Sequence, residues 1–314
     1  MKYGVLLIGF EYIKTKRWKT LPGIPADLYQ VYRHCNPITK NILVFTDVDK
    51  DYKTSVLQRA ILDGYVDSNL LSFIEDTKDR KHHKLYKSQR KSGYTVNNFD
   101  KTIGDFIEGF DRLVIYYTGH GKDGDIILPD NTHVSLDYFR DLVVSNVNPT
   151  CQVIIILDCC QSNGMSLPYS YSDGNYHLNS RNFIKPHIVC ISSTQLDEDS
   201  AATRSGSLFT RVLFGYLYNN QNQMFHINNL LKHLGNINDG EILSTITIYS
   251  SYPNIKLLWP WFTKNEYNNL DVSFDHNNSL ITVTLNNCQR TIDKSSSMSD
   301  YIRYHHNGRH DTIY

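Results

Sequence analysis

Net charge is the first thing this sequence lacks: 32 basic residues offset 32 acidic ones, and the pI is near 7.2. A neutral chain offers no long-range field to draw it to nucleic acid or an anionic membrane. No apolar run approaches the roughly 20 residues that cross a bilayer. The run Tyr3 to Gly9 is too short for a secretory signal and has no cleavage-site pattern after it. Cysteine is scarce, six in 314 residues with two of them adjacent, which is not the spacing of a disulfide framework. No internal repeat is visible. These absences lead us to expect a soluble, reduced, cytoplasmic monomer with neither nucleic acid nor membrane among its partners.

What the sequence does have is a 40% hydrophobic content arranged in short runs. Val5 to Gly9, Asn41 to Phe45, Leu113 to Tyr117, Ile154 to Leu157 and Ile188 to Ile191 read as strands buried on both faces. Between them lie helical stripes. One follows Pro25 through Asp27, Leu28, Val31 and Tyr32, and a second uses Val56, Leu57, Ala60 and Ile61. A third spans Asn97 to Phe110, and a fourth, Leu136 to Val144, is capped by Ser135. Leu208 to Tyr218 and Ile227 to Leu234 supply two more helices, and Ile242 to Tyr249 a last strand. Alternation of this kind implies an α/β fold, an α/β/α sandwich around a mostly parallel sheet of about six strands.

The remaining segments read as local features. Leu70 to Ile74 is expected as a short strand, Asp125 to Val134 as a small hairpin, and residues 164–185 as an aperiodic loop. Seven of the fourteen positions from Lys78 to Lys91 are Lys or Arg, which reads as a mobile, solvated loop with too few aromatics for nucleic-acid binding. Residues 1–260 are expected to form one domain. Residues 261–314 would then be an extension with a hairpin around Asn277-Asn278 and a disordered tail from Ser295.

Two successive core strands end in reactive residues, His120 after one and Cys160 after the other. In an open α/β sheet the carboxyl ends of strands are where ligands bind. A thiol placed there needs activation, because a free cysteine is only a few per cent thiolate at neutral pH. A neighbouring imidazole can take its proton and later protonate a leaving amine. His120 lies between Gly119 and Gly121, and the N–H groups of Gly121 and Cys160 are candidate donors to an oxyanion.

The residues that carry this chemistry resemble those of the metacaspases, the caspase-fold cysteine peptidases. Tyr116-Tyr117-Thr118-Gly119-His120-Gly121 is similar to their Gly-His-Gly block, and Asp158-Cys159-Cys160-Gln161-Ser162 to their Asp-x-Cys block. Leu167-Pro168-Tyr169 resembles a segment of type I members just after the nucleophile. The resemblance spans roughly residues 3 to 260. It implies a His120–Cys160 dyad, with Cys160 rather than Cys159 as the nucleophile. It also implies a pocket of Asp27, Asp158 and Thr118 for the residue before the scissile bond. Two carboxylates in a recess favour a cation, so the implied substrates are proteins or peptides cleaved after Arg or Lys, with self-cleavage in the 78–91 loop.

The chain departs from that family at Gln161, Asn163 and Ile24. It departs again where calcium is held in many members, since Leu136 and Ser166 stand where acids are expected and only Asp125 and Asp137 remain. Hard cations need several oxygen ligands. The expectation is therefore no required cofactor and little or no calcium dependence. The competing expectation is a catalytically weak caspase-like interaction module.

Overall fold

Strands that are apolar throughout must be covered on both faces, and two separate apolar layers achieve this here. The computed structural model describes residues 1–48, 70, 73, 83–92, 94–162, 165–172, 175–180, 184–194, 202–203, 206–220, 223–235, 246–253 and 255–259. It adds backbone strands at 261–264, 271–275, 280–285, 288–293, 303–306 and 309–312. The chain divides into two compact units, Met1–Thr263 and Lys264–Tyr314.

The first unit is built on a nine-stranded sheet. Its strands are β1 (Tyr3–Gly9), β2 (Ile42–Thr46), β3 (His83–Leu85), β4 (Arg112–Thr118) and β5 (Gln152–Asp158). They are followed by β6 (Tyr169–Ser172), β7 (Asn175–Leu178), β8 (His187–Ser192) and β9 (Thr247–Ser250). Spatial order is β7-β6-β9-β8-β5-β4-β1-β2-β3. From β3 to β8 the neighbours are parallel. The three strands beyond β8 are antiparallel additions. Five of the six expected strands are the parallel β1, β2, β4, β5 and β8, the sixth is the antiparallel β9, and the unexpected β3, β6 and β7 bring the total to nine.

Alternate residues of each strand feed opposite layers, as a period of two requires. Val5, Leu7, Val114, Tyr116, Ile154 and Ile156 join one core with Leu28 and Val31 of helix α1 (Ile24–Cys35). Leu6, Ile8, Ile115, Tyr117, Ile155 and Leu157 join the other. That second core is closed by helices α2 (Phe99–Ile107) and α3 (Leu136–Asn146). Helix α4 (Leu208–Asn219) packs in the first layer through Phe209, Leu213, Phe214 and Leu217, beside helix α5 (Ile227–Gly235). Pro25 sits in the first turn of α1, and the Ser135 hydroxyl caps α3 by accepting from Tyr138 N at 3.1 Å.

Several expectations need correction. Leu70 and Phe73 are helical rather than strand, and both are buried in the first core; their spacing of three serves one helix face. Part of the basic segment is ordered. His83–Leu85 pairs with β2 at the sheet edge, and Ser88–Lys91 forms a hairpin with Tyr94–Asn97. Its side chains are largely solvated, so charge marked the exposure and not the backbone conformation. The 164–185 loop contains the β6–β7 hairpin, whose Tyr-Ser-Tyr-Ser alternation was the overlooked signal. The stripe at Val56 to Ile61 and the loop residues 78–82 lie outside the described residues.

In the second unit, Asp271–Asp275 pairs antiparallel with Leu280–Leu285 at the expected hairpin, and Cys288–Asp293 adds a third strand. The tail expected to be disordered forms a further hairpin, Arg303–His306 with Arg309–Thr312.

Gly9 ends β1 directly beneath α1. A Cβ at Gly9 would lie 2.7 Å from a Leu28 methyl and 2.8 Å from one of Ile24. Gly9→Ala is expected to cost about 1–3 kcal/mol by overpacking. Urea unfolding reads this as a lower midpoint, and an unchanged midpoint would show that α1 is not seated on Gly9.

Candidate active site

The site follows from strand register. β4 and β5 are parallel neighbours with Thr118 opposite Asp158, six residues on from the Arg112–Gln152 pair. Both residues share the strand face of Tyr116 and Ile156, which is the α1 side. His120 and Cys160 each lie two residues further on, so they leave the sheet side by side at its carboxyl rim. The closeness of the two strand ends is visible at Gly121. A Cβ there would overlap the Cys160 carbonyl oxygen and lie 2.9 Å from Cys159 Sγ. Only glycine fits where the Gly121 backbone meets the Cys160 carbonyl.

One cavity of about 420 Å³ is lined by Asp27, Thr118, Gly119, His120, Asp158 and Cys160, together with Lys19–Ile24 and Ser207. The predicted dyad and the predicted acids therefore share one recess. Asp27 and Asp158 are 2% and 3% exposed, so both carboxyls lie away from bulk water. Burial first, and the charge of Asp158 second, push the Asp27 carboxyl well above its ordinary 3.8. Ser207 N donates to Asp27 Oδ1 at 2.8 Å. Gly206 beside it has φ +105°, and a Cβ there would overlap that same oxygen. The Thr210 hydroxyl donates to Asp158 Oδ2 at 2.6 Å. Its own oxygen lies 2.6 Å from Tyr116 Oη, so a relay Tyr116–Thr210–Asp158 ties the acid to α4. The Ser207 hydroxyl is buried in the same lining and has no partner among the described residues.

His120 is held on three sides. Its Nε2 lies 2.7 Å from the Lys19 carbonyl oxygen, which can only accept, so the neutral ring carries hydrogen on Nε2 and its lone pair on Nδ1. The rings of Tyr12 and Trp18 pack against the imidazole at centroid distances of 4.5 and 5.0 Å. Tyr12 Oη accepts from His120 N at 2.9 Å and donates to Ile127 O at 2.6 Å. Tyr12 itself has φ +62°, a conformation held by the Asp47 carboxylate, which accepts from Glu11 N and Tyr12 N at 2.7 and 2.8 Å. Partial burial holds the His120 imidazole below 6.5, against the opposing effect of the Lys19 carbonyl.

Among the described cysteines, Cys160 alone is not buried. Cys159 faces the second core and burial pushes its thiol well up; Cys35, Cys151 and Cys190 are pushed up to about 12 by the same cause. Gln161, which departs from the resembled family, has φ +51° and uses Oε1 to accept from Asp123 N at 2.7 Å. Ser162 is fixed by Thr194, whose Oγ1 accepts from Ser162 N at 3.0 Å. Residue 163 lies outside the described residues.

Calcium, which the resemblance raises, does not fit the described residues. Asp137 is taken by Arg140 and by Ser166, at 2.8–2.9 Å, and Asp125 lies 3.2 Å from His133 Nδ1. Among the described residues, no group of three or more His, Cys, Asp or Glu side chains could hold a metal. Leu136 is buried in the second core rather than offered to solvent.

Sequence reading missed Lys19, Tyr12, Asp47, Ser207 and Thr210. The Lys19 contribution is a backbone carbonyl, to which any residue type is equivalent. Tyr12 and Asp47 act through a turn and a stacking contact that no local spacing announces. Tyr12→Phe keeps the ring against His120 but strands the His120 N–H and leaves the Ile127 carbonyl only its 3.3 Å contact with Tyr117 Oη. Leaving buried groups unsatisfied costs about 1–3 kcal/mol. We expect turnover at Cys160 to fall roughly tenfold with little change in KM. Unchanged kcat would show that the Tyr12 hydroxyl does not position His120.

No protein-family model matches the sequence. No curated protein matches it either. Among solved structures the chain is similar to caspase-1 from Spodoptera frugiperda, with 14% identity over 81% of this chain and 88% of that one, at a TM-score of 0.48.

Proposed function

We propose that this chain is a cysteine endopeptidase of the metacaspase type, cleaving after Arg or Lys through an acyl-enzyme on Cys160. The observation that carries the reading is the shared cavity. A partly buried cysteine and an oriented imidazole open onto the same recess as two buried carboxyls.

In this reading His120 Nδ1 takes the Cys160 proton, and the thiolate attacks the scissile carbonyl carbon. The oxyanion is received by the N–H groups of Gly121 and Cys160. His120 then returns the proton to the leaving amine, which departs as the C–N bond breaks. Water, activated by the same imidazole, hydrolyses the thioester and restores the thiol. The Lys19 carbonyl keeps the ring in one tautomer throughout and favours its charged form once the proton is taken.

Specificity follows from the recess. Two carboxyls held together in low dielectric repel each other, and a guanidinium or ammonium entering between them relieves that repulsion. The unpartnered Ser207 hydroxyl and Thr118 add acceptors for the N–H groups of such a cation. An acidic side chain would meet only repulsion. Arg90 and Lys91 lie on the exposed hairpin, with the exposed Lys87 just before it, and give self-cleavage its natural target.

Hydrolysis of fluorogenic peptides ending in Arg, Lys, Asn and Asp, under reducing conditions, tests the reading. We expect turnover of the Arg and Lys peptides that Cys160→Ala abolishes. Turnover of none by the wild type would leave the alternative of an interaction module.

Asp27→Asn separates stability from function. The Asp27 carboxyl titrates above 3.8 when folded, so ionising it costs folding free energy. That cost is absent below pH 3.8, grows as pH rises toward the folded-state value, and is complete above it. Asp27→Asn is therefore expected to melt higher than wild type at neutral pH, with the difference vanishing in acid. Its KM for the Arg peptide is expected to rise. A lower melting temperature with unchanged KM would contradict the pocket role.

A further inference from the structure

Resting on the assignment of Cys160 as nucleophile, we propose that Arg140 is an internal cation that fixes the segment after that nucleophile, in place of a bound divalent metal. The Arg140 side chain is only 16% exposed, well below what a free surface arginine shows. Its guanidinium donates to three oxygens. Nη1 reaches Asp137 Oδ1 at 2.9 Å and the Ser166 carbonyl at 2.7 Å, while Nη2 and Nε reach Asp141 Oδ1 at 2.8 and 2.9 Å. Ser166 returns the contact, its N–H and hydroxyl donating to Asp137 at 2.8 and 2.9 Å. Helix α3 and the chain beyond Cys160 are thus joined by carboxylate and carbonyl oxygens converging on one positive charge.

A hard divalent ion collects oxygens in a similar way, but it needs six to eight of them at 2.3–2.6 Å. Here Leu136 and Ser166 contribute no carboxylate, and the remaining oxygens are spaced for a planar fork at hydrogen-bonding distance. The guanidinium, always charged and with donors in fixed directions, satisfies that set without a metal.

Ser166 lies six residues beyond Cys160 in the chain. Met165 and Leu167, on either side of Ser166, are each 1% exposed, so shifting Ser166 would unseat both from the second core. At the other end of the segment Ser162 is pinned by Thr194, and Gln161 by Asp123 N. Arg140 supplies the far anchor. It is a positioning residue, with no contact to substrate.

The full chain and its Arg140→Gln and Arg140→Lys variants test this in three measurements, each with EDTA and with calcium. These are the rate of Cys160 alkylation by iodoacetamide, hydrolysis of the Arg peptide, and thermal melting. For the wild type we expect all three to be indifferent to both additions. Arg140→Gln is expected to lose roughly tenfold or more in kcat, with KM nearly unchanged and Cys160 alkylation altered. Arg140→Lys keeps the charge but not the fork, and it should recover part of the loss. Wild-type kcat or melting that falls in EDTA and returns with calcium would overturn the proposal. So would an Arg140→Gln variant matching wild type in kcat and alkylation. If no peptide is cleaved at all, the peptidase reading fails separately, while alkylation and melting still decide the role of Arg140. If Arg140→Gln does not fold, Arg140→Lys and the response of the wild type to calcium decide it.

Discussion

The parallel register of β4 and β5 is the constraint on which the rest of the site depends. Pairing Thr118 with Asp158 puts a histidine and a cysteine 40 residues apart in sequence at equivalent steps beyond neighbouring strands. A slip of one residue would turn every side chain of β5 to the opposite layer, sending Asp158 into the second core and Cys159 toward α1. The wholly apolar runs on both strands resist such a slip less by polarity than by packing, because each layer has its own helices to match. The rim then needs little more than glycine, at Gly121, to let the two strand ends meet.

Around that rim the chain stores unfavourable electrostatics and fixes it with neutral donors. Asp27 and Asp158 are buried near each other; Ser207 N and the Thr118 hydroxyl donate to Asp27, the Thr210 hydroxyl donates to Asp158, and the charge of Arg211 partly offsets that of Asp27. The fixed positive charge of Arg140 is placed elsewhere, at the anchor of the following segment, where it contacts no reacting group.

Much of this was legible in the sequence because it is written in local patterns. Apolar runs ending in Gly-His-Gly and Asp-Cys-Cys marked the core strands and the pair His120 and Cys160, and the family resemblance of those blocks added Asp27, Asp158 and Thr118. What was not legible depends on backbone groups and on distant contacts. The Lys19 carbonyl, the Asp47-held turn at Tyr12 and the Ser207 lining have no residue-type signature at fixed spacing. The β6–β7 hairpin and the ordered basic hairpin were missed because polar composition suggested loops, where alternation and an unpaired sheet edge decide for strands. Arg140 shows the same limit: the sequence revealed which acids were missing, and only the fold revealed what stands in their place.

The central claim is that one thiol, Cys160, reacts with what the acidic recess selects. A peptide ending in Arg and carrying a thiol-reactive group at its carboxyl end, followed by mass spectrometry of the intact chain and its digest, tests that directly. The account predicts a single adduct on Cys160, formed far faster than with the same reagent ending in Asp and lost on heat denaturation before labelling. An adduct on another cysteine, or equal labelling by the Arg- and Asp-ended reagents, would contradict it.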